Sequence, residues 1–159
     1  MRSLMMGLSA AVIAACAMGC DGGDGGGGGF EIAEGPLSGK FDGQDWKFAS
    51  GWTDDFLSDE EDFFTTLHDV DSEACGFGGG SERTILLDVP REPGEYNLGL
   101  QQNVTFAVNN ENNVATTGRL VVEKVTDTEV DVGLYAVFGD DGNFEVSGHF
   151  TATICPPSP

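Results

Sequence analysis

Two histidines and one serine are the side chains whose types and spacing come closest to hydrolytic chemistry. Ser147 and His149 are two residues apart, and His68 stands far from both in the chain. Nucleophilic catalysis needs a serine held by a histidine that a third group orients, and the chain has no Gly-x-Ser-x-Gly motif. In an alternating strand, Ser147 and His149 share one face, which the pattern places in solvent. We therefore assign no catalytic residue and predict that the protein is not an enzyme.

Zinc binding has little support, because a zinc site needs three or four convergent nitrogen or sulfur ligands. His68, together with Asp69 and Asp71, would contribute to such a site only if the fold brought His149 close. The sequence predicts no metal site and no cofactor.

Calcium suits the carboxylates better. The segment 69–73 (Asp-Val-Asp-Ser-Glu) spaces them alternately, and 140–143 (Asp-Asp-Gly-Asn) places oxygen ligands in a turn. However, Ala74 stands where an EF-hand loop requires Gly, and no closing Glu follows. We interpret both stretches as solvated loops and keep calcium binding by the acidic segment 54–73 as an alternative.

The first nineteen residues have the pattern of a secretory signal peptide. Met1-Arg2 supplies one positive charge, and 3–19 is an uncharged run rich in Leu, Met, Ala, Val and Ile. The run ends in small residues and is short for a membrane span. We predict a signal peptide at 1–19 and export of the rest of the chain.

The end of this run resembles the lipobox of bacterial lipoproteins, with Ala17-Met18-Gly19-Cys20 as the matching residues and Ala17 where that family prefers Leu. In that family, the cysteine is joined to diacylglycerol, the signal is cut before it, and the new amine is usually acylated. The resemblance implies lipidation at Cys20 and attachment to a membrane of the cell envelope. It leaves open whether the membrane is inner or outer, and whether the protein faces the periplasm or the surface.

Cysteine parity supports Cys20 over a second register that ends at Cys16 (Ile13-Ala14-Ala15-Cys16). If Cys20 carries the lipid, Cys16 leaves with the signal, and Cys75 and Cys155 remain as an even pair. If Cys16 carries it, Cys20 is an odd thiol in an oxidising compartment. We predict lipidation at Cys20 and a Cys75–Cys155 disulfide, with two free thiols as the alternative.

The amino-acid composition limits the classes of partner that the protein can bind. The chain has 27 Asp and Glu against 7 Lys and Arg, a formal net charge of −20. Nucleic acid and anionic lipid both attract cationic proteins, so the charge excludes nucleic acid and leaves the lipid anchor as the only membrane contact. Eight glycines lie in 21–35, which we interpret as a flexible tether, so the domains are a signal peptide (1–19), a lipidated tether (20–35) and a folded body (36–159).

The folded body has β periodicity almost throughout. Val130 to Phe138 alternates, 140–143 is a hairpin signal, and 144–154 places Phe, Val, Gly, Phe, Ala and Ile on one face. With the strand at 119–125, these elements predict an antiparallel C-terminal meander. The acidic stretch 54–73 is interpreted as a loop followed by a strand, although Phe56, Phe63, Phe64 and Leu67 are also compatible with a helical stripe.

About eight short strands in a single body predict an all-β fold, an antiparallel β-sandwich or barrel. The segments 148–155 and 94–99 resemble β-rich domains of uncharacterised function in bacterial envelope lipoproteins. That resemblance implies a fold and a location but no activity. The sequence therefore predicts a monomeric, lipid-anchored binding module for an unknown protein, glycan or small molecule, with a structural envelope component as the alternative.

Overall fold

A computed structural model describes residues 30–75 and 81–157 of the chain. In these ranges the protein is all-β, which confirms the predicted class, and no helix is present that could cross a membrane. Cys16, Cys20 and the predicted signal peptide lie outside the described residues. The eleven strands are β1 Ser38–Phe41, β2 Gln44–Lys47, β3 Ser50–Thr53, β4 Asp62–His68, β5 Arg83–Pro90, β6 Gly94–Asn97, β7 Val104–Val108, β8 Glu111–Ala115, β9 Thr117–Val125, β10 Glu129–Phe138 and β11 Phe144–Thr153.

The strands form a curled, open sheet. Its order is β6-β9-β10-β11-β3-β4-β5-β7-β8, and the short hairpin β1–β2 joins it through pairing of β1 with β11. The pairing is antiparallel except between β11 and β3, which run parallel and share one rung, Thr153 opposite Trp52. That single rung connects β3, β4, β5, β7 and β8 to the rest of the sheet.

The predicted C-terminal meander is confirmed. In β10, Leu134 lies opposite Leu120 of β9 and Gly148 of β11. The apolar positions of β10 and β11 alternate toward the core as the period-two pattern requires. The hairpin signal at 140–143 is the connection between β10 and β11, with Phe138 opposite Phe144.

The strand count exceeds the expected eight partly because residues 46–52, whose pattern predicts one strand, are divided between β2 and β3. At Phe48 and Ala49 the backbone changes partner: Phe48 N donates to Leu37 O, and Ala49 N donates to His68 O, both at 2.9 Å. The chain therefore leaves β1 and joins β4 within two residues. A local pattern cannot detect such a change of partner.

A further difference is β8. The run 109–113 (Asn-Asn-Glu-Asn-Asn) has the composition of a turn, yet the strand already begins at Glu111. The turn itself consists of Asn109 and Asn110, whose φ angles are +50° and +66°. Two successive residues with positive φ are typical of a tight type I′ hairpin, so the chain reverses in two residues and pairs again at once. The polar sequence of β8 is tolerated because the strand lies at the edge of the sheet.

The core fills the inside of the curled sheet. Phe106 of β7 contacts Phe41 of β1 and Phe144 of β11, with ring centroids 5.3 and 5.6 Å apart. These rings come from strands that do not pair with β7, so side-chain packing joins β7, next to one end of the sheet, to β1 and to β11 in its middle. Burying each such ring stabilises the fold by about 1.5–3 kcal/mol.

Residues 30–36, here called the N-terminal segment, pack on the outer face of β10 and β11. Ala33 N donates to Ser147 Oγ at 2.8 Å, and His149 N donates to Gly35 O at 2.8 Å. The Cδ1 atom of Ile32 lies over Gly133, where an added Cβ would be 3.3 Å from it. Residues of 30–35, which the sequence pattern assigned to the tether, thus have backbone and side-chain partners on β10 and β11.

Candidate functional site

The two sequence-predicted cysteines of the folded body lie at disulfide distance. The Sγ atoms of Cys75 and Cys155 are 2.06 Å apart, and the Cα atoms 5.5 Å apart. Cys155 N also donates to Thr53 Oγ1 at 3.0 Å. The pair therefore holds the end of β11 against both β3 and the loop that follows β4.

Ser147 and His149 share the outer face of β11, but they do not form a catalytic pair. Ser147 Oγ accepts a hydrogen bond from Ala33 N, whereas His149 Nδ1 lies 2.8 Å from Glu123 Oε1. This face was expected to be solvated. The N-terminal segment covers part of it, so neither side chain is arranged to activate the other.

His68 is a buried histidine without a polar partner. Its residue is 3% exposed, and neither ring nitrogen has a hydrogen-bond partner among the described residues. The ring stacks on Trp52, with centroids 4.6 Å apart. Burial lowers the pKa of His68 below its usual value, against an opposing effect of Asp69. The structure gives His68 and His149 separate surroundings, so it does not assemble the zinc site considered from the sequence.

In both stretches considered for calcium, a carboxylate is already bonded to neighbouring residues. Asp69 Oδ2 accepts from Arg83 Nη2 at 2.6 Å, and its other oxygen accepts from Ser81 Oγ. Asp141 in the β10–β11 turn bonds to Asn143. Within residues 30–75 and 81–157, no three His, Cys, Asp or Glu side chains converge as a metal site would require.

A second outer face of the sheet carries side chains that are mostly half-buried or exposed. This surface, the open face, is formed by β3, β4, β5, β7 and β8. A single rung crosses all five strands: Trp52, Thr66, Leu86, Thr105 and Val114. Four strand spacings make the rung about 19 Å long. It alternates apolar and hydroxyl side chains, which is the composition of a contact surface.

The loop between β3 and β4 extends this surface with its most exposed apolar side chains. Phe56 is 92% exposed and Leu57 is 55% exposed. We call residues 54–57 the Phe56 tip. Asp54 Oδ1 accepts hydrogen bonds from the backbone of Phe56 at 2.9 Å and of Leu57 at 3.1 Å, an Asx turn that aims both side chains outward.

The tip is held firmly on the sheet. Ser58 Oγ donates to Asp54 O at 2.5 Å and accepts from Phe64 N at 3.0 Å. These bonds attach the loop to the start of β4. Asp59 Oδ1 then accepts from the backbone of Glu61 and Asp62, both at 2.8 Å. Two successive side-chain-capped turns therefore fix the loop that carries Phe56.

Arg91 secures the same loop from the neighbouring strand. Its backbone N donates to Glu61 O at 3.0 Å, and its Nε donates to Asp59 O at 2.8 Å. The guanidinium carbon lies 4.0 Å from the centroid of the Phe63 ring. Arg91 thus lies against the loop, where its charge favours the ionised forms of Asp59 and Asp62. The carboxylates at 54, 55 and 59–62 outnumber this cation, so the loop is negatively charged overall.

Two carboxyl groups beside the tip, those of Asp62 and Asp88, have raised pKa values. Burial raises the pKa of Asp62, and the negative charges of Asp88, Asp59 and Glu61 raise it further. Burial also raises the pKa of Asp88, with a smaller effect of Asp59. Both groups therefore resist ionisation, and a cation brought near them would lower their pKa.

A cleft of about 490 Å³ opens at the other end of the open face, near the β7–β8 turn. It is wide and mostly polar, and Glu82, Thr84 and Asn112 are among the residues that line it. Such a shape differs from the concave apolar pockets that hold small ligands.

The sequence pattern did not identify the Phe56 tip. The predicted acidic loop followed by a strand is confirmed, because β4 begins at Asp62. The alternative helical stripe, which grouped Phe56 with Phe63, Phe64 and Leu67, is wrong: the structure buries Phe63 and Leu67, half-buries Phe64 and exposes Phe56. The available signal was an aromatic residue inside a run of acids directly after Asp54, where an Asx turn is favoured.

Comparisons with protein families, curated proteins and solved structures found no match to this chain.

Proposed function

We propose that this chain is a lipid-anchored binding module of the bacterial cell envelope. The anchor part of the proposal is supported by the signal-like run at 1–19 and the lipobox-like residues that end at Cys20. Two or three acyl chains on one cysteine would hold the protein on a membrane far more firmly than one. Which membrane and leaflet it occupies is left to experiment.

The packing of residues 30–35 shortens the proposed tether to 20–29. A Gly-rich coil of ten residues has an r.m.s. span of about 16–19 Å. An acylated Cys20 would therefore hold the body within about two nanometres of the bilayer.

We also propose that the curled sheet forms a β-sandwich, with β3, β4, β5, β7 and β8 as one layer and β1, β2, β6, β9, β10 and β11 as the other. The contacts of Phe106 with Phe41 and Phe144 support this arrangement, because they cross between the two groups of strands. A sandwich leaves two outer faces, of which the N-terminal segment occupies part of one.

The single observation that carries the binding role is the exposure of Phe56 and Leu57 on a fixed loop. Two large apolar side chains that stay in water contribute no burial energy to the fold. An exposed aromatic anchor is typical of protein interfaces. We favour a protein over a small molecule because the tip protrudes, whereas small-molecule sites are concave. The described residues contain no arrangement of side chains that would suggest catalysis instead.

The anchor is tested by acyl labelling of the full chain in a bacterial host. Cys20→Ser should abolish labelling and release the protein from membranes, and the matched variant Cys16→Ser should leave both unchanged. The opposite result would transfer the lipid site to Cys16. Labelling that survives in both variants would exclude a lipobox.

The binding role is tested by photo-crosslinking in cells that produce the protein naturally. A benzophenone amino acid is placed at position 56, and at position 127, an exposed turn on the opposite group of strands, as the control. We expect a discrete adduct from position 56 and none from position 127. Absence of an adduct at 56 would instead favour the structural envelope component.

A further inference from the structure

We infer that the Phe56 tip docks into an apolar pocket on a protein partner whose surrounding surface is basic. This inference rests on the proposed binding role and specifies the chemistry of the partner.

The first step is the shape of the tip. Asp54 and Ser58 hold the turn through bonds to the backbone of Phe56, Leu57 and Phe64, so the two apolar side chains are already in position before a partner arrives. A pre-organised contact loses little conformational entropy on binding. A rigid, protruding aromatic side chain requires a pocket on the other molecule.

The second step is the charge around the tip. Carboxylates at 54, 55 and 59–62 surround Phe56 and Leu57 within the loop. Arg91 stands beside them, with its guanidinium over the Phe63 ring and its Nε bonded to Asp59 O, and this single cation offsets only part of their charge. Burial raises the pKa of Asp62, the negative charges of Asp88, Asp59 and Glu61 raise it further, and Arg91 opposes them. Charge complementarity therefore selects a partner rich in Lys and Arg.

The third step is the location of the tip relative to the N-terminal segment. Phe30 contacts Tyr135 of β10, and Ala33 contacts Ser147 of β11, which lies opposite Tyr135. In contrast, β3 meets β11 at Thr153 and then continues into the tip. Six strand residues separate the two rungs, about 20 Å. The tip thus lies toward the end of β11 away from the point where the chain reaches the sheet, and it is accessible when the N terminus is attached to a membrane.

A bilayer is the other surface that could accept Phe and Leu side chains. Bacterial membranes carry anionic lipids, which an acidic loop does not approach by charge. The carboxylates at 54, 55 and 59–62 would also have to enter the headgroup region together with Phe56. The observations favour the protein partner, and vesicle binding becomes an outcome of the test.

The test uses the full chain with Cys20→Ser and three fluorescent 18-residue helical peptides: one with Leu on one face and Lys on the other, one with Glu in place of Lys, and one with Ser in place of Leu. Binding is measured by fluorescence anisotropy in about 150 mM salt, the physiological ionic strength. We expect the Leu/Lys peptide to bind and the Leu/Glu peptide not to bind. Phe56→Ser should weaken the binding of the Leu/Lys peptide about 30-fold or more, as truncation of an interface anchor does.

Leu100→Ser is the matched control, because Leu100 is 91% exposed on a different loop. It should leave the affinity unchanged. Equal binding by Phe56→Ser, or equal affinity for the Leu/Lys and Ser/Lys peptides, would overturn the apolar docking. Binding of the Leu/Glu peptide as tightly as the Leu/Lys peptide would overturn the basic partner.

Phe56→Trp then reports on the membrane alternative. A blue-shifted emission with vesicles of phosphatidylglycerol and phosphatidylethanolamine, but not with the Leu/Lys peptide, would overturn the protein partner. An adduct from position 56 to an acidic protein would overturn this inference while the binding role survives. Absence of any adduct would remove both.

Discussion

The ring of Phe30 stacks on the ring of Tyr135, with centroids 5.2 Å apart and planes inclined by 13°. This contact joins the start of the described chain to the middle of β10. It places the N-terminal segment on the outer face of the meander, where Ile32 and Ala33 then contact Gly133 and Ser147. The segment is therefore a packed part of the body.

Replacing Phe30 by Ala should release this segment. Loss of the stacked ring and its burial is expected to cost about 1–2 kcal/mol in the free energy of unfolding. Hydrogen exchange should increase at 31–36 but not in β4 or β5. Tyr135→Phe is the control: it removes only the hydroxyl that donates to Glu145 Oε1 at 3.1 Å and keeps the ring. Unchanged exchange in Phe30→Ala would show that backbone bonds alone hold the segment.

His68 should make the fold sensitive to mild acid. Its pKa is lowered in the folded state, mainly by burial, so the unfolded chain binds the proton more readily. The free energy of unfolding is therefore not reduced by His68 above pH 6.5, the ordinary pKa of histidine, and it decreases as the pH falls below that value. Urea unfolding between pH 7.5 and 5, in steps of about half a unit, should reveal this decrease.

His68→Phe preserves a ring against Trp52 without a titrating group, so its stability should vary less over the same pH range. The exposed-histidine variant His149→Gln should retain the acid sensitivity. If His68→Phe retains the whole of it, another group is responsible.

Asp88 should destabilise the folded protein at neutral pH. Burial and the charge of Asp59 raise its pKa, so stability is complete below the unfolded value of 3.8 and is lost as the pH rises through the folded pKa. Asp88→Asn should therefore raise the melting temperature at pH 7, with a small effect because the side chain is partly solvated. Asp127→Asn, in an exposed turn, should leave it unchanged. A lower melting temperature in Asp88→Asn would mean that the carboxylate has a favourable partner.

A Cys75–Cys155 bond closes a loop with a sequence separation of 80 residues. The chain-entropy account assigns about 4–5 kcal/mol to a loop of that size. In a Cys20→Ser background, a reductant should lower the stability of the parent toward that of the Cys75→Ala/Cys155→Ala variant, which should itself be insensitive to it. Equal stability of the parent with and without reductant, together with two free thiols by mass, would contradict the bond.

Most of the C-terminal half could be predicted from the sequence, because the faces of β10 and β11 depend only on alternation along each strand. The division of 46–52 into β2 and β3 could not, since it requires knowledge that Leu37 and His68 supply successive backbone acceptors. Phe56 and Phe63 look alike in the sequence, yet the first is exposed and the second is buried. Only the register of β4 against β5 distinguishes them.

The sequence by itself determined the β class, the meander and the expectation that Cys75 pairs with Cys155. Alternation can be seen in a few neighbouring residues, and an even number of cysteines can be counted along the chain. The tertiary structure decided that residues 30–36 lie on the sheet, that one rung connects β11 to β3, and that Asp54 turns Phe56 into solvent. Each of these depends on contacts between distant parts of the chain, whose free energies no window of neighbouring residues contains.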